Sequence, residues 1–267
     1  MEPISFRPIG VVRSSRHYRF ESPRQGVFGG GDGLIDLLPE YGGDAVADLA
    51  GFDRIWVIFC FHLNADRQWK PKVRPPVPED GVCRSVYATR SPYRPNPIGL
   101  SCVQLLRVER RKLHVGGIDM LDGTPVLDIK PYIPEADAFP AAAVGWRDVP
   151  DDEPWEVTAA ARFRTQAEFI REQSDLDLEN FCRVQLSRSP LDPDRKRLTP
   201  EPDGQWTIGC RTWRIVFRCV PEKRQVRLRE IRSNYPVPEL APDAADPYRD
   251  KELHRRFLAA DWSNHSN

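Results

Sequence analysis

The most chemically pointed stretch of this 267-residue chain is Ala88–Leu100 (ATRSPYRPNPIGL), which carries two arginines and three prolines. Pro92, Pro95 and Pro97 fix the backbone and remove donors, so the loop is stiff without joining a ladder. Stiffness holds Arg90 and Arg94 in place at small entropic cost, and two placed guanidinium groups suit a carboxylate or a phosphate. The plainer alternative is a rigid connection whose arginines pair with surface acids. A second stretch, Ile118–Pro131 (IDMLDGTPVLDIKP), ends an apolar run on Asp119 and Asp122. Asp-Gly is an everyday turn signal, so Asp122 by itself reads as a turn former. In Phe59–Asn64 (FCFHLN) an apolar strand ends on His62, and Ser22–Gly26 (SPRQG) is a polar turn after His17, Tyr18, Arg19 and Phe20. No metal site is expected: the five histidines show no His-x-His or His-x-x-x-His spacing, and the six cysteines form no Cys-x-x-Cys pair. Gly29–Gly33 precedes a strand and opens no helix, so it is not a dinucleotide cradle.

These segments need strands to hold them. Up to about Pro131 the chain reads as short strands: Ile4–Val12, Leu34–Leu38, Arg54–Phe61, Val82–Ala88, Leu100–Val108, Leu113–Ile118 and Pro125–Ile129. The run RIWVIFCF is continuously apolar, as for a strand covered on both faces. Spacings this short leave no room for repeated crossover helices, so a barrel is expected rather than a doubly wound parallel sheet. The 26 prolines and 17 glycines agree with strands joined by turns.

Past Pro134 an Ala-, Pro- and Asp-rich linker leads to a second unit of different grammar. A helix is expected from about Asp152, with Pro154 in its first turn and Ala160, Phe163, Ala167 and Ile170 on one face. A second helix holds Leu178, Cys182 and Leu186. Trp213, Ile215, Phe217 and Cys219 then alternate with Arg214 and Arg218, and Val226 and Leu228 with Arg227 and Arg229, across a Pro221–Arg224 turn. That is a hairpin with an apolar back and an arginine front. The fold class is thus mainly β with an α+β appendage: a barrel over 1–135, a linker over 136–153, a small basic α+β domain over 154–232 and a polar, loosely held tail over 233–267 with one short helix near Glu252–Leu258.

Charge excludes some classes and suggests one. The chain carries 39 basic and 39 acidic residues, which rules out a uniformly basic coat. Yet Phe181–Arg232 holds 13 Lys or Arg against 6 Asp or Glu, net +7. A basic sheet face is often merely solvated. Here it is arginine on one face beside Trp213, and arginine forks phosphates and stacks on bases. No apolar run reaches the roughly 20 residues of a membrane span, and the scattered cysteines suit a reduced, cytoplasmic protein.

Read together, PIGVVRS, PRQ, GFDRIWVIFCFH, VRPP, ATRSPYRPNPIGLS and DMLDGTPVLDIKPY resemble, in order, the motifs of the TrmO (TsaA-like, YaeB-like) family. The resemblance is strong over Pro8–Tyr132 and weak beyond. It implies an S-adenosylmethionine-dependent, homodimeric tRNA methyltransferase built on a small non-Rossmann β-barrel. The implied reaction methylates N6 of threonylcarbamoyladenosine at tRNA position 37. It also implies a cofactor site of Pro23, Arg24, Gln25, His62, Leu63, Arg90, Leu100, Asp119, Met120, Leu121 and Asp122. Within it, Arg90 or Arg24 suits the cofactor carboxylate, and Asp119 or Asp122 its hydroxyls or cationic groups. Asp119, Asp122 and Tyr93 are the candidate bases, and Arg214, Arg218, Arg227 and Arg229 the candidate tRNA contacts. The family's DPRP-x-Y stretch has only a partial counterpart in Leu191–Arg197 (LDPDRKR). Two alternatives stand: an RNA-binding module without catalysis, and a methyltransferase of the same fold with another substrate.

Overall fold

The computed structural model describes residues 2–29, 31–75, 81–147, 153–192 and 197–262. The chain forms two compact units, Met1–Asp152 and Glu153–Asn267. In the first, β1 (Gly10–Arg13), β2 (Gly33–Leu37), β3 (Arg54–Cys60), β6 (Ile98–Glu109), β7 (Lys112–Gly116) and β8 (Pro125–Pro131) close an antiparallel barrel. The strand order is β1-β2-β7-β6-β3-β8, and β8 returns to β1. Between β3 and β6, β4 (Lys72–Val73) and β5 (Arg84–Ser85) make a separate small ladder.

Alternation explains the core. Val12, Ile35, Leu37, Ile55, Val57, Phe59, Val103, Leu105, Leu113, Val115 and Val126 point inward and are buried, with Ile118 and Met120 at one end of the same core. Three expectations are corrected. β3 is covered on one face only, because Ile55, Val57 and Phe59 are buried while Trp56, Ile58 and Cys60 are half-buried. A small closed barrel has a single interior, and the outer Trp56 packs on Tyr132 and donates its indole N–H to Asp137 at 3.0 Å. The strand expected over Val82–Ala88 reduces to β5, followed by a 3-10 turn at Val86–Ala88. The strand expected over Ile4–Val12 occupies Gly10–Arg13, where it has ladder partners on both sides.

Register fixes which loops meet. Cys60 pairs with Ile98, Val11 with Pro125, and Gly33 with Val115. The ends of β1, β3 and β7 therefore lie with the starts of β2, β6 and β8. The connections 14–32, 61–97 and 117–124 all leave the barrel at this one mouth.

In the second unit, β9 (Glu156–Ala159), α2 (Ala161–Gln173) and α3 (Leu178–Leu186) precede β10 (Leu198–Pro200), β11 (Trp206–Cys210), β12 (Trp213–Val220) and β13 (Gln225–Ser233). A four-residue helix, α1 (Pro134–Asp137), belongs to the first unit. The sheet order is β10-β11-β12-β13-β9, with β9 parallel to β13. The first helix thus starts later than expected, since the β-branched Val157 and Thr158 sit in an edge strand and Ala161 begins α2. Asp152 lies outside the described residues. In α3, Asp177 caps the start by accepting from the Asn180 N–H at 2.9 Å.

The tail is not loosely held. Its helix α4 (Lys251–Ala259) buries His254 and Phe257 on the apolar side of the sheet. The His254 ring stacks on Trp213 at 3.6 Å, its Nδ1 meets Ser233 Oγ at 2.7 Å and its Nε2 meets Thr212 Oγ1 at 2.9 Å. Asp250 completes the network by accepting from Thr212 at 2.5 Å and Tyr235 at 2.8 Å. Replacing His254 with Ala removes the stack, opens a cavity against Trp213 and takes one partner from each of the Thr212 and Ser233 hydroxyls. The expected loss is about 3 kcal/mol, checked by urea unfolding. Trp213 is 1% exposed, so it cannot stack on a base from the arginine face.

Candidate active site

Three loops build the mouth, and polar contacts lock them to one another. The Ser22–Phe28 segment lies directly on the β7–β8 connection: a Cβ on Gly26 would stand 1.6 Å from Gly117 O. Gly117 has φ +66, a conformation that suits glycine. Ser22 Oγ donates to Asp119 O, and the buried Arg16 donates to Ile118 O at 3.2 Å. Because the obstacle at Gly26 is backbone, Gly26→Ala must push the two loops apart. We expect it to weaken cofactor binding at least tenfold while the barrel still folds, measured by calorimetry and circular dichroism.

Asp119 sits at the centre of this arrangement. Its Oδ1 accepts from Ser101 Oγ at 2.6 Å, and the Gly26 N–H supplies a further hydrogen bond. Burial pushes its carboxyl above the usual range, against the pull of Ser101, backbone donors and the charge of Arg16. Asp119 forms no ion pair among the described residues. Asp122, three residues on, differs. It accepts from the Ser14 N–H at 3.1 Å, and Arg13 and His17 stand 3.9 Å from its Oδ2. Its own N–H donates to Arg16 O at 2.7 Å, so it also ties the β7–β8 turn to the end of β1.

Arg90 reaches across the mouth to Gln25, donating from Nη1 to Oε1. Gln25, in turn, donates to Arg24 O at 2.8 Å. The PRQ turn and the proline-rich loop are therefore one wall. Arg94, expected beside Arg90 as a second ligand clamp, instead braces its own loop by donating to Val86 O at 3.2 Å and Thr89 O at 2.9 Å. Trp146 adds a brace from outside, donating to Ala88 O at 2.8 Å. Tyr93 packs under the Lys70 ammonium, 4.9 Å from the ring centre.

On the third side, His62 and Leu63 start the turn after β3, and Arg19 donates to Leu63 O. Burial leads the causes that lower the His62 pKa, with Arg19 adding to it, while a hydrogen bond to Cys60 opposes. Met120 is 2% exposed with its side chain in the barrel core, so it offers a ligand only main chain. Leu100 is 54% exposed on the outer side of β6 rather than in the mouth.

The mouth thus gathers Pro23, Arg24, Gln25, Arg90 and Asp119 directly, and joins His62 and Leu63 through Arg19. Sequence reasoning missed Ser101 and Asn64. Strand alternation from the buried Val103 would have marked Ser101 as inward. Asn64 is 7% exposed, and its buried Nδ2 has no hydrogen-bond partner among the described residues. Nothing in the sequence signals that. Far from the mouth in sequence, Arg218 pairs with Arg227 across β12 and β13, and Arg214 with Arg232. A bulge sets Arg229 and Glu230 together opposite Val216, on the same side. Arg232 is neutralised by Glu230 at 2.8 Å, whereas Arg214, Arg218 and Arg229 have no ion pair among the described residues. The partial DPRP-like stretch falls mostly at 193–196, outside the described residues.

Comparison with known proteins reaches beyond the first unit. Residues 11–138 match the tRNA-methyltransferase O N-terminal domain. The tRNA (adenine(37)-N6)-methyltransferase of Escherichia coli K12 is 37% identical over 202 residues, covering 73% of this chain and 86% of that protein. A putative S-adenosylmethionine-dependent methyltransferase of Pseudomonas aeruginosa is 34% identical over 243 residues, covering 88% and 94%. A crystal structure of TrmO from the same organism superposes with a TM-score of 0.64 at 31% identity, covering 86% of this chain and 98% of that one. Among the described residues no helix is long and apolar enough to cross a membrane.

Proposed function

The chain belongs to the tRNA-methyltransferase O family, and from that premise we propose that it transfers a methyl group from S-adenosylmethionine to N6 of adenine 37 in tRNA, taking the threonylcarbamoyl form of that adenosine. The observation that carries this reading is the single mouth, whose loops carry the Arg90 guanidinium and the Asp119 carboxylate, tied by hydrogen bonds to Gln25 and Ser101.

The donor set fits the cofactor. Arg90, steadied by Gln25, suits an α-carboxylate. Asp119 suits a cationic group, because neutral donors hold it and, although the charge of Arg16 reaches it, it forms no ion pair among the described residues. Exposed Leu63 offers an apolar edge for an adenine. When bound, the cofactor supplies an electrophilic methyl on a sulfonium.

The residues' own work is positioning and proton control. In-line transfer depends on alignment, and the bracing by Arg94, Ser22 and Arg16 fixes the loops that would impose it. The accepting nitrogen is delocalised between ring and carbamoyl and must lose a proton. Of the three candidate bases, Asp119 is the better placed. Burial raises its proton affinity, whereas Asp122 is committed to Ser14, Arg13 and His17. The arginine side of β12 and β13 then holds tRNA phosphates. A homodimer belongs to this reading. Ile98 and Leu100 leave an apolar strip on the outer wall of β6 that a second copy would cover. The cytoplasm is the proposed site of action, where tRNA and the cofactor meet.

Mass spectrometry of nucleosides after incubation with cofactor and tRNA tests this. Methylated threonylcarbamoyladenosine is expected. Methylation of unmodified adenosine alone would refute the substrate, and tRNA binding without methylation would favour a non-catalytic RNA-binding module.

A further inference from the structure

Ser101 is an anomaly in its strand. The inward row of β6 reads Gly99, Ser101, Val103 and Leu105, and the last two belong to the apolar core. A serine in that row is 7% exposed and gives up a methyl's worth of burial for a hydroxyl that must be satisfied. Its hydroxyl has one partner of consequence, Asp119 Oδ1 at 2.6 Å. β6 is the longest strand of the barrel, and Ser101 stands opposite Val57 of β3, so its Cα is held by the ladder between the two strands. The other restraints on Asp119 come from the loops: Ser22 holds its carbonyl and Gly26 its carboxylate. Ser101 is thus the link by which the rigid wall, rather than a loop, sets where that carboxylate points.

We propose that Ser101 is a positioning residue of the methyl-transfer site, aiming the Asp119 carboxylate into the mouth and keeping it ionised for a cationic methyl donor. This rests on the mouth being the donor site. A hydroxyl donating to a carboxylate stabilises the charged form more than the neutral acid. Without that donor, a carboxyl already driven toward its neutral form by burial shifts further the same way. Asp119 would then ionise at higher pH, and the donor would be held well only above that point. The groups facing the carboxylate are Ser101 from β6, Gly26 and Ser22 from the first loop, and Arg16, which stays engaged with Ile118 O.

The test is titration of the full-length protein with S-adenosylmethionine across pH, for wild type, Ser101→Ala and Ser101→Thr. Ser101→Ala should bind the donor roughly tenfold more weakly near neutral pH. Its affinity-versus-pH midpoint should move to higher pH, with kcat at saturating donor changed less than KM. Ser101→Thr, which keeps the hydroxyl, should restore the midpoint. Should alanine leave a cavity the barrel does not tolerate, Ser101→Cys keeps the volume with a poor donor and reads the same midpoint. An unmoved midpoint in a folded Ala or Cys variant overturns the proposal while leaving the donor site intact. Wild-type protein that binds no donor overturns the functional reading itself.

Discussion

Asp119→Asn should lower methylation by about a hundredfold or more while leaving the unliganded protein at least as stable as wild type near neutral pH. The two halves have one cause. Burial raises the Asp119 carboxyl above its ordinary range, so ionisation costs more in the folded protein than in the unfolded chain. Its contribution to stability is fully present below the ordinary carboxylate range and is lost as pH rises through the raised value. Asparagine carries no charge, so it escapes that loss and still offers a partner to Ser101. What it lacks is the negative charge that a cationic donor needs and the capacity to take a proton. Asp122→Asn is the matched control. Its acid already has Arg13 and His17 nearby, so its loss should affect the Ser14 turn more than the chemistry. Single-turnover rates with saturating cofactor, alongside thermal unfolding against pH, separate the two. Equal loss of rate in both variants would place the chemistry elsewhere.

The second large effect is on RNA. Arg218 and Arg227 are direct cross-strand partners, and like charges opposite each other in a ladder are unfavourable to the free protein. Arg227 donates to Gln225 at 2.6 Å, and no acid compensates either charge among the described residues. Replacing both with Ala should therefore leave the unit no less stable. It should weaken tRNA binding more than tenfold and flatten the salt dependence by roughly two units of log–log slope, about one per phosphate contact. Donor affinity should not change. An unaltered slope would remove this patch from the RNA path.

The barrel was legible because its strands obey period-two alternation and its connections are short. Register was not, and register decides that 14–32, 61–97 and 117–124 share one end. The motif residues could be named from resemblance, but their jobs depend on which way each points. Arg90 and Arg94 look equivalent in ATRSPYRPNP, yet one crosses the mouth and the other closes its own loop. Leu100 and Ser101 are neighbours, and alternation turns one outward and the other toward Asp119. Alternation put Trp213 on the apolar back of its hairpin, and there it stacks on His254, a partner that the hairpin's own pattern does not reveal. The tail looked loose because its anchors are single residues in a polar stretch, and a buried histidine leaves no periodic trace.

The claim beneath all of this is that the barrel mouth is where the methyl donor sits. Amide hydrogen exchange on the full-length protein, with and without saturating S-adenosylmethionine, tests it most directly. Slowed exchange is predicted in 22–28, 86–94 and 117–121, with the sheet around Trp213 unaffected. Heat of binding without protection at the mouth, or protection confined to 206–233, would contradict it.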